Sequence, residues 1–240
     1  MKLYVYASLI LFLFWACSGP QTSQSNQKEP SKEPSTEDKM ISDKEESSSV
    51  GGDKKIILIF GNSLTAGYGL DNPEDGFAGL IQLKLENLDL PYEVVNGGIS
   101  GETSSDGKGR IKWMMRSPVD IFVLELGAND GLRGISPEVT QENLQVILTT
   151  VKESYPEAKI LITGMEAPPN MGDDYTEAFR KIFPALAEAN DAELMPFLLE
   201  GVAGEADLNQ SDAIHPTEEG HEIVAENLWT ILKKMIEAVN

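Results

Sequence analysis

The 240-residue sequence has a single cysteine, Cys17, and only two histidines, His215 and His221. Without a second cysteine the chain cannot form an internal disulfide, so a folded domain must be stabilised by its own core. Two histidines and one cysteine also do not make the ligand cluster of a transition-metal site. The sequence therefore predicts no disulfide and no metal, and few side chains are available for acid-base chemistry near neutral pH.

Basic residues are scarce as well. The chain has 19 Lys and Arg against 39 Asp and Glu, which gives a formal net charge of -20 at pH 7. Such an acidic excess disfavours nucleic acid or anionic lipid headgroups as partners bound through a basic patch. It says little about catalysis, because a charged surface usually reflects only solubility.

The N-terminal region has a short apolar run at residues 3–16, directly after Lys2. This run is too short to span a bilayer comfortably and has the length of the hydrophobic region of a signal peptide. Cys17 follows Ala16, which resembles a bacterial lipobox, where the cysteine is acylated and becomes the mature N-terminus. The alternative is an ordinary secretory signal in which Cys17 is incidental.

Residues 18–53 are rich in Ser, Glu, Lys and Pro and almost devoid of apolar residues. Such a composition cannot offset the entropy of ordering, so we expect a disordered tether. The predicted organisation is a signal peptide at 1–16, a lipidated Cys17 with its tether at 17–53, and one domain at 54–240. That domain would be extracytoplasmic and membrane-anchored through lipid only, or secreted if Cys17 is not lipidated.

From residue 54 onward, strand-like and helix-like segments alternate, which is the pattern of a parallel sheet covered by helices. Apolar runs predict strands at 56–60, 93–96, 121–126, 160–163 and 194–197. Spacing and capping signals predict helices at 77–88, 137–153, 175–189 and 217–238. Ligands of such sheets bind at the carboxyl ends of the strands, so we searched the loops that follow these runs.

Ser63 lies in the loop after the first predicted strand, within the segment GNSLTAGYG at 61–69. A serine at a strand-to-helix turn is close to N–H groups of the helix start, which stabilise negative charge near its oxygen. The segment is not the G-x-S-x-G elbow, because Thr65 stands where the second glycine would be. Ser63 is nevertheless a candidate nucleophile.

A serine nucleophile needs a base, and His215 is the better of the two candidates. Asp212 precedes it by three residues in a predicted loop, so its carboxylate could hold one ring nitrogen while the other faces Ser63. His221 falls inside the last predicted helix and is expected to be a surface or packing residue. D-x-x-H alone is a weak signal, and its combination with Ser63 strengthens the interpretation.

The loops after the second and third strands contain possible donors for an oxyanion. Gly101 lies in NGGISGET at 96–103 and could present its N–H. Asn129 lies in GAND at 127–130 and could donate from its side-chain amide. Asn and Gly in loops are usually only turn formers, but three such loops at successive strand ends favour an acyl-transfer site.

Together these segments resemble the SGNH, or GDSL-type, hydrolases, in the branch of bacterial arylesterases and periplasmic thioesterase-lysophospholipases. FGNSLTAGYG, NGGISGET, LGANDGLRG and DAIHP match its sequence blocks in order. The resemblance implies a three-layer, flavodoxin-like α/β/α fold with a five-stranded parallel sheet. It implies a Ser63–His215–Asp212 triad with oxyanion donors at Ser63, Gly101 and Asn129, no cofactor, and hydrolysis of acyl esters or thioesters.

One residue departs from this pattern, because Asn62 stands where the signature has aspartate. Asn is nearly isosteric with Asp and keeps its acceptor oxygen, but it removes a negative charge beside the nucleophile. Two other functions stay open: an extracytoplasmic carbohydrate acetylesterase with the same triad, and a tethered binding lipoprotein without turnover, for which Asn62 is the only motivating residue.

Overall fold

The structure is a computed structural model, and it describes residues 54–238. The predicted signal peptide, Cys17 and the tether lie outside the described residues. Within 54–238 no helix is both long enough and apolar enough to cross a membrane.

In the described part of the chain, five parallel strands form one sheet with the spatial order β2-β1-β3-β4-β5. This confirms the predicted five-stranded parallel sheet, and the order is that of flavodoxin-like folds. The bounds are β1 Lys55–Gly61, β2 Tyr92–Gly98, β3 Ile121–Glu125, β4 Lys159–Thr163 and β5 Glu193–Met195. The fifth predicted strand, 194–197, extends beyond the end of β5 at Met195, because Pro196 lacks the N–H needed to continue the strand.

The central strands are buried on both faces. Ile57 to Phe60 in β1 and Ile121 to Leu124 in β3 are at most 2% exposed. Continuous rather than alternating burial is expected of a parallel sheet with helices on both sides. The core therefore lies along β1 and β3, the two strands that lead to Ser63 and Asn129.

Residues 54–238 form seven α-helices around the sheet: α1 Ser63–Ala66, α2 Phe77–Asn87, α3 Ser104–Met114, α4 Ala128–Leu132, α5 Pro137–Ser154, α6 Asp173–Asn190 and α7 Glu218–Glu237. Short 3-10 helices occur at Pro73–Asp75, Pro169–Met171 and Ala206–Leu208. The chain moves from β1 to β2 in one direction along the sheet and then reverses. Right-handed crossovers therefore put α2 on one face and α3, α5 and α6 on the other. The packing agrees, since α2 contacts α7 and α5 contacts both α3 and α6.

Helix α3 is absent from the sequence-based prediction. Its sequence, SSDGKGRIKWM, has two glycines and little apolar periodicity. It begins with a capping box, in which the Thr103 hydroxyl and the Asp106 carboxylate satisfy each other's backbone N–H groups. A Cβ at Gly107 would come within 2.5 Å of Leu126, so the glycine allows close packing against the sheet. Tertiary contacts here override a poor intrinsic helix propensity.

Candidate active site

Residues 61–67 contain the predicted nucleophile Ser63, are named the nucleophile turn for that prediction, and join β1 to the short helix α1. Asn62 is the N-cap of α1, and its Oδ1 accepts the Leu64 N–H at 3.0 Å. Ser63 is the first helical residue, and Gly67 ends the helix in the left-handed region at φ 68°. The turn therefore places the Ser63 hydroxyl at the carboxyl edge of the sheet with its own N–H at a helix N-terminus.

The structure brings Ser63, His215 and Asp212 together in one hydrogen-bonded chain. His215 Nε2 lies 2.8 Å from Ser63 Oγ, and His215 Nδ1 lies 2.6 Å from Asp212 Oδ2. Ser63 is 8% exposed, and the imidazole between the other two is also largely covered. A proton on Nδ1 leaves Nε2 free to accept the proton of Ser63, which is the geometry of a general base.

The loop that holds His215 is fixed by local hydrogen bonds. Asp212 Oδ1 accepts the N–H groups of Ile214 and His215 at 2.9 and 3.0 Å. Ala213 adopts φ 58°, an unfavourable conformation for a residue with a Cβ. The Gln210 amide nitrogen donates to the carbonyl oxygens of Tyr68 and Pro216, which ties the loop to the end of the nucleophile turn.

The electrostatics of Asp212 suit an orienting carboxylate. Its partial burial would by itself raise the pKa, but the hydrogen bonds from the His215 ring and from the N–H groups of His215 and Ile214 lower the pKa to about 2. Asp212 is therefore ionised across the pH range in which a histidine base works.

His221 lies away from this chain of hydrogen bonds and packs in the core at 1% exposure. Its Nδ1 accepts the Phe77 N–H at 3.2 Å, and its ring stacks on Phe77. Burial, together with the nearby His215, lowers the pKa of His221 to about 4. The ring is therefore neutral near pH 7, as expected of a packing residue.

The predicted oxyanion donors lie in the loops that follow β2 and β3. Gly101 adopts φ 83°, and its carbonyl accepts a hydrogen bond from Arg133 at 2.9 Å. The Asn129 amide donates to the Glu102 carbonyl at 3.0 Å, which joins the two loops. Among the hydrogen bonds of residues 54–238, the N–H groups of Ser63 and Gly101 have no acceptor. Both are available to a ligand.

Two polar clusters that the sequence-based prediction missed hold these loops in place. Arg110 pairs with Glu102 at 2.7 Å and donates to the carbonyl oxygens of Gly61 and Gly97. The buried Asp130 carboxylate accepts the N–H and the hydroxyl of Ser104 at 2.8 and 2.5 Å. The Arg110 bonds link α3 to the ends of β1 and β2, and the Asp130 bonds link the starts of α3 and α4 to each other.

Glu125 was also missed, although it ends β3 beneath the nucleophile turn. It is completely buried and accepts from the Asn62 amide at 2.9 Å and from the Thr65 hydroxyl at 2.7 Å. Burial raises the pKa of Glu125 to about 7 against the opposing effect of these hydrogen bonds. A signal was available, since Glu125 is the single acidic residue in the apolar run 121–126.

No group of three or more His, Cys, Asp or Glu side chains among residues 54–238 is arranged to hold a metal ion.

Comparison with known proteins gives a consistent result. A model of the GDSL-like Lipase/Acylhydrolase family matches residues 59–223. Esterase TesA of Pseudomonas aeruginosa is 38% identical over 183 residues, which cover 76% of this chain and 90% of that protein. Thioesterase 1/protease 1/lysophospholipase L1 of Escherichia coli is 37% identical over 181 residues, covering 75% and 84%.

Solved structures agree with these relatives. The crystal structure of the psychrotrophic esterase EstA from Pseudoalteromonas sp., inhibited by monoethylphosphonate, superposes with a TM-score of 0.72 at 31% identity, covering 77% of this chain and 100% of that one. The family model spans the nucleophile turn, the loops that contain Gly101 and Asn129, and the Asp212–His215 loop. The chain therefore belongs to the GDSL-like lipase/acylhydrolase family and is a hydrolase of ester bonds.

Proposed function

We propose that Ser63 is the nucleophile, His215 the general base and Asp212 the orienting carboxylate of this hydrolase. The observation that supports the assignment is the continuous hydrogen-bonded chain from Ser63 Oγ through both imidazole nitrogens to Asp212 Oδ2, at 2.8 and 2.6 Å. As Ser63 Oγ attacks the acyl carbonyl, its proton passes to His215 Nε2. His215 then protonates the leaving alcohol or thiol.

The tetrahedral intermediate needs donors where its oxyanion forms. The N–H groups of Ser63 and Gly101 and the Asn129 amide follow the carboxyl ends of three neighbouring strands, β1, β2 and β3, and we assign them this role. Water then attacks the acyl-enzyme with His215 as base, and the proton returns to Ser63 Oγ when the acid leaves. The overall reaction consumes one water and gives a carboxylic acid and an alcohol or thiol.

We further propose that the substrate is an apolar acyl ester or thioester. The named relatives include esterases, an arylesterase and a thioesterase-lysophospholipase. Exposed apolar side chains lie on the segments that contribute the site residues: Tyr68, Ile99 and Ile214 on loops and Leu132 at the end of α4, each at least 44% exposed. The Tyr68 ring packs on His215 with 4.7 Å between centroids. An apolar rim favours an acyl chain over a sugar as the contacted group.

For the whole protein we propose an extracytoplasmic location with a lipid anchor at Cys17, as the N-terminal sequence indicates. Incorporation of labelled palmitate into the full chain, and its loss in Cys17→Ser, is the expected result. Secretion of an unlabelled wild-type protein would contradict the anchor without touching the catalytic assignment.

A fluorophosphonate probe tests the nucleophile, because it esterifies an activated serine. We expect labelling and p-nitrophenyl butyrate hydrolysis in the wild type and in Ser117→Ala, where an exposed serine far from the site is changed. Both signals should disappear in Ser63→Ala with no change in circular dichroism. Retained hydrolysis in Ser63→Ala would refute the assignment. Activity that falls steeply from acetyl to octanoyl esters would instead favour a carbohydrate acetylesterase.

A further inference from the structure

The Glu125 carboxylate takes no part in the proposed reaction, yet all its hydrogen bonds come from the nucleophile turn. Its Oε2 accepts the Asn62 N–H at 3.0 Å, the Thr65 N–H at 3.3 Å and the Thr65 hydroxyl at 2.7 Å. Its Oε1 accepts the Asn62 side-chain amide at 2.9 Å. A completely buried carboxylate therefore binds the residues on either side of Ser63 through four donors.

The Asn62 side chain joins this carboxylate to the nucleophile. Its Oδ1 accepts the Leu64 N–H at 3.0 Å and lies 3.3 Å from Ser63 Oγ, while its Nδ2 donates to Glu125. Because donors face one end of the amide and an acceptor faces the other, only one orientation satisfies both ends. A displacement of Glu125 would therefore be transmitted to the N-cap of α1 and to Ser63.

We propose that Glu125 is a positioning residue for Ser63, and that it acts through the Asn62 amide, which donates a hydrogen bond without itself gaining or losing a proton. This inference rests on the proposed role of Ser63 as nucleophile. The close approach needs a glycine before Asn62, since a Cβ at Gly61 would overlap both the Thr65 hydroxyl and the Glu125 carboxylate.

The neighbouring charged groups do not satisfy Glu125. Every hydrogen bond to Glu125 among residues 54–238 comes from an uncharged group. Arg110 is bound to Glu102 and to backbone carbonyls, and Asp130 is bound to Ser104. Of the four donors to Glu125, the Asn62 amide is the one whose other end reaches Ser63 Oγ.

The variant Asn62→Asp tests the pairing through pH. A proton shared between the two carboxyls can replace the amide hydrogen, so we expect kcat within about threefold of the wild type at pH 6.5. As the pH rises to 9.5 that proton is lost, and two carboxylates face each other across the 2.9 Å contact. We expect kcat to fall reversibly by about tenfold or more, with a smaller change in KM, while the wild type shows no such decline.

A second pair of variants tests the exchange of the two groups. In Glu125→Gln an amide faces the Asn62 amide, so one donor is unsatisfied and kcat should fall about tenfold or more. In the double variant Asn62→Asp with Glu125→Gln the amide and carboxylate change places, and each donor again meets an acceptor. We expect kcat within about threefold of the wild type at both pH values. A merely structural need for a buried carboxylate at 125 would not be rescued by this exchange.

Asn190→Asp is the matched control. Asn190 is also buried, and its amide donates to Gln145 and Leu186. It ends α6, which returns the chain to the amino ends of the strands, whereas Ser63 lies at their carboxyl ends. It should lower the melting temperature without an alkaline loss of kcat. Fluorophosphonate labelling separates the two proposals. If the wild type is not labelled, the assignment of Ser63 as nucleophile is wrong, and this inference fails with it. If labelling is normal but wild type and Asn62→Asp have parallel pH profiles, or if the exchange does not rescue kcat, only the positioning role of Glu125 is wrong.

Discussion

The substitution Asp212→Asn isolates the orientation of the histidine from the rest of the site. Asparagine keeps an oxygen that can accept the N–H groups of Ile214 and His215, so the loop retains its bonds at 2.9 and 3.0 Å. The other end of the side chain changes from an acceptor to a donor. It faces His215 Nδ1 at 2.6 Å and therefore forces the imidazole proton onto Nε2.

The magnitude follows from the position of Nε2. With a proton there, the nitrogen 2.8 Å from Ser63 Oγ donates and cannot accept the serine proton. In serine hydrolases with this arrangement the wrong tautomer lowers kcat by about 10⁴, equivalent to about 5 kcal/mol of transition-state stabilisation. KM should change little, because we expect neither the Asp212 side chain nor the tautomer of His215 to alter the contacts of the substrate's acyl group.

The assay is the initial rate of p-nitrophenyl butyrate hydrolysis, together with the rate of fluorophosphonate labelling, which requires the same proton transfer. Asp207→Asn is the control, since Asp207 is exposed in the preceding segment and touches no site residue. The control should be indistinguishable from wild type in both assays. If Asp212→Asn keeps kcat within tenfold of wild type and remains folded, the tautomer argument is wrong.

Three other outcomes test other parts of the site. Asn129→Ala should lower kcat about 100-fold, or about 3 kcal/mol, with little change in KM, and an equal rise in KM would instead indicate ground-state binding. In Gly101→Ala the new Cβ has room, since its nearest neighbour is Arg133 at 3.9 Å. The backbone φ of 83° should nevertheless lower the free energy of unfolding, measured by urea denaturation, by about 1 to 2 kcal/mol. An unchanged denaturation midpoint would contradict this strain. Because burial raises the pKa of Glu125 from 4.5 to about 7, the folded state binds the extra proton between these values. The shifted pKa of His221 acts in the opposite direction in both proteins, so the difference in free energy of unfolding between wild type and Glu125→Gln isolates Glu125 and should change by about 3 kcal/mol, against the wild type, from pH 4.5 to 7.5.

The sheet and the proximity of Ser63, His215 and Asp212 were predictable for reasons that do not depend on packing detail. Buried parallel strands appear as continuous apolar runs, and their carboxyl ends share one edge, so Ser63 and Asn129 had to be neighbours. The scarcity of histidine reduced the choice of base to two residues, and Asp212 selected His215.

The helix and the buried polar groups behind the site were not predictable in the same way. Helix α3 depends on how closely Gly107 lets it approach Leu126, which no local propensity encodes. Glu125 could be recognised as unusual within an apolar strand, but its partners Asn62 and Thr65 are about sixty residues away in sequence. Their pairing follows only from the register in which Gly61 lies beside Glu125.

The distance between Ser63 Oγ and His215 Nε2 is likewise a property of the tertiary structure, since the two residues are 152 positions apart in the sequence. The Gln210 amide holds the His215 loop in place, because it donates to the carbonyl oxygens of Tyr68 and Pro216 at 2.8 and 2.9 Å. The Tyr68 ring packs on the His215 imidazole and limits the movement of that imidazole. A misplacement of about 1 Å can cost about 100-fold in rate. The alignment of the triad therefore depends on side chains outside the triad, which predicts that Gln210 and Tyr68 affect kcat although neither exchanges a proton with the substrate.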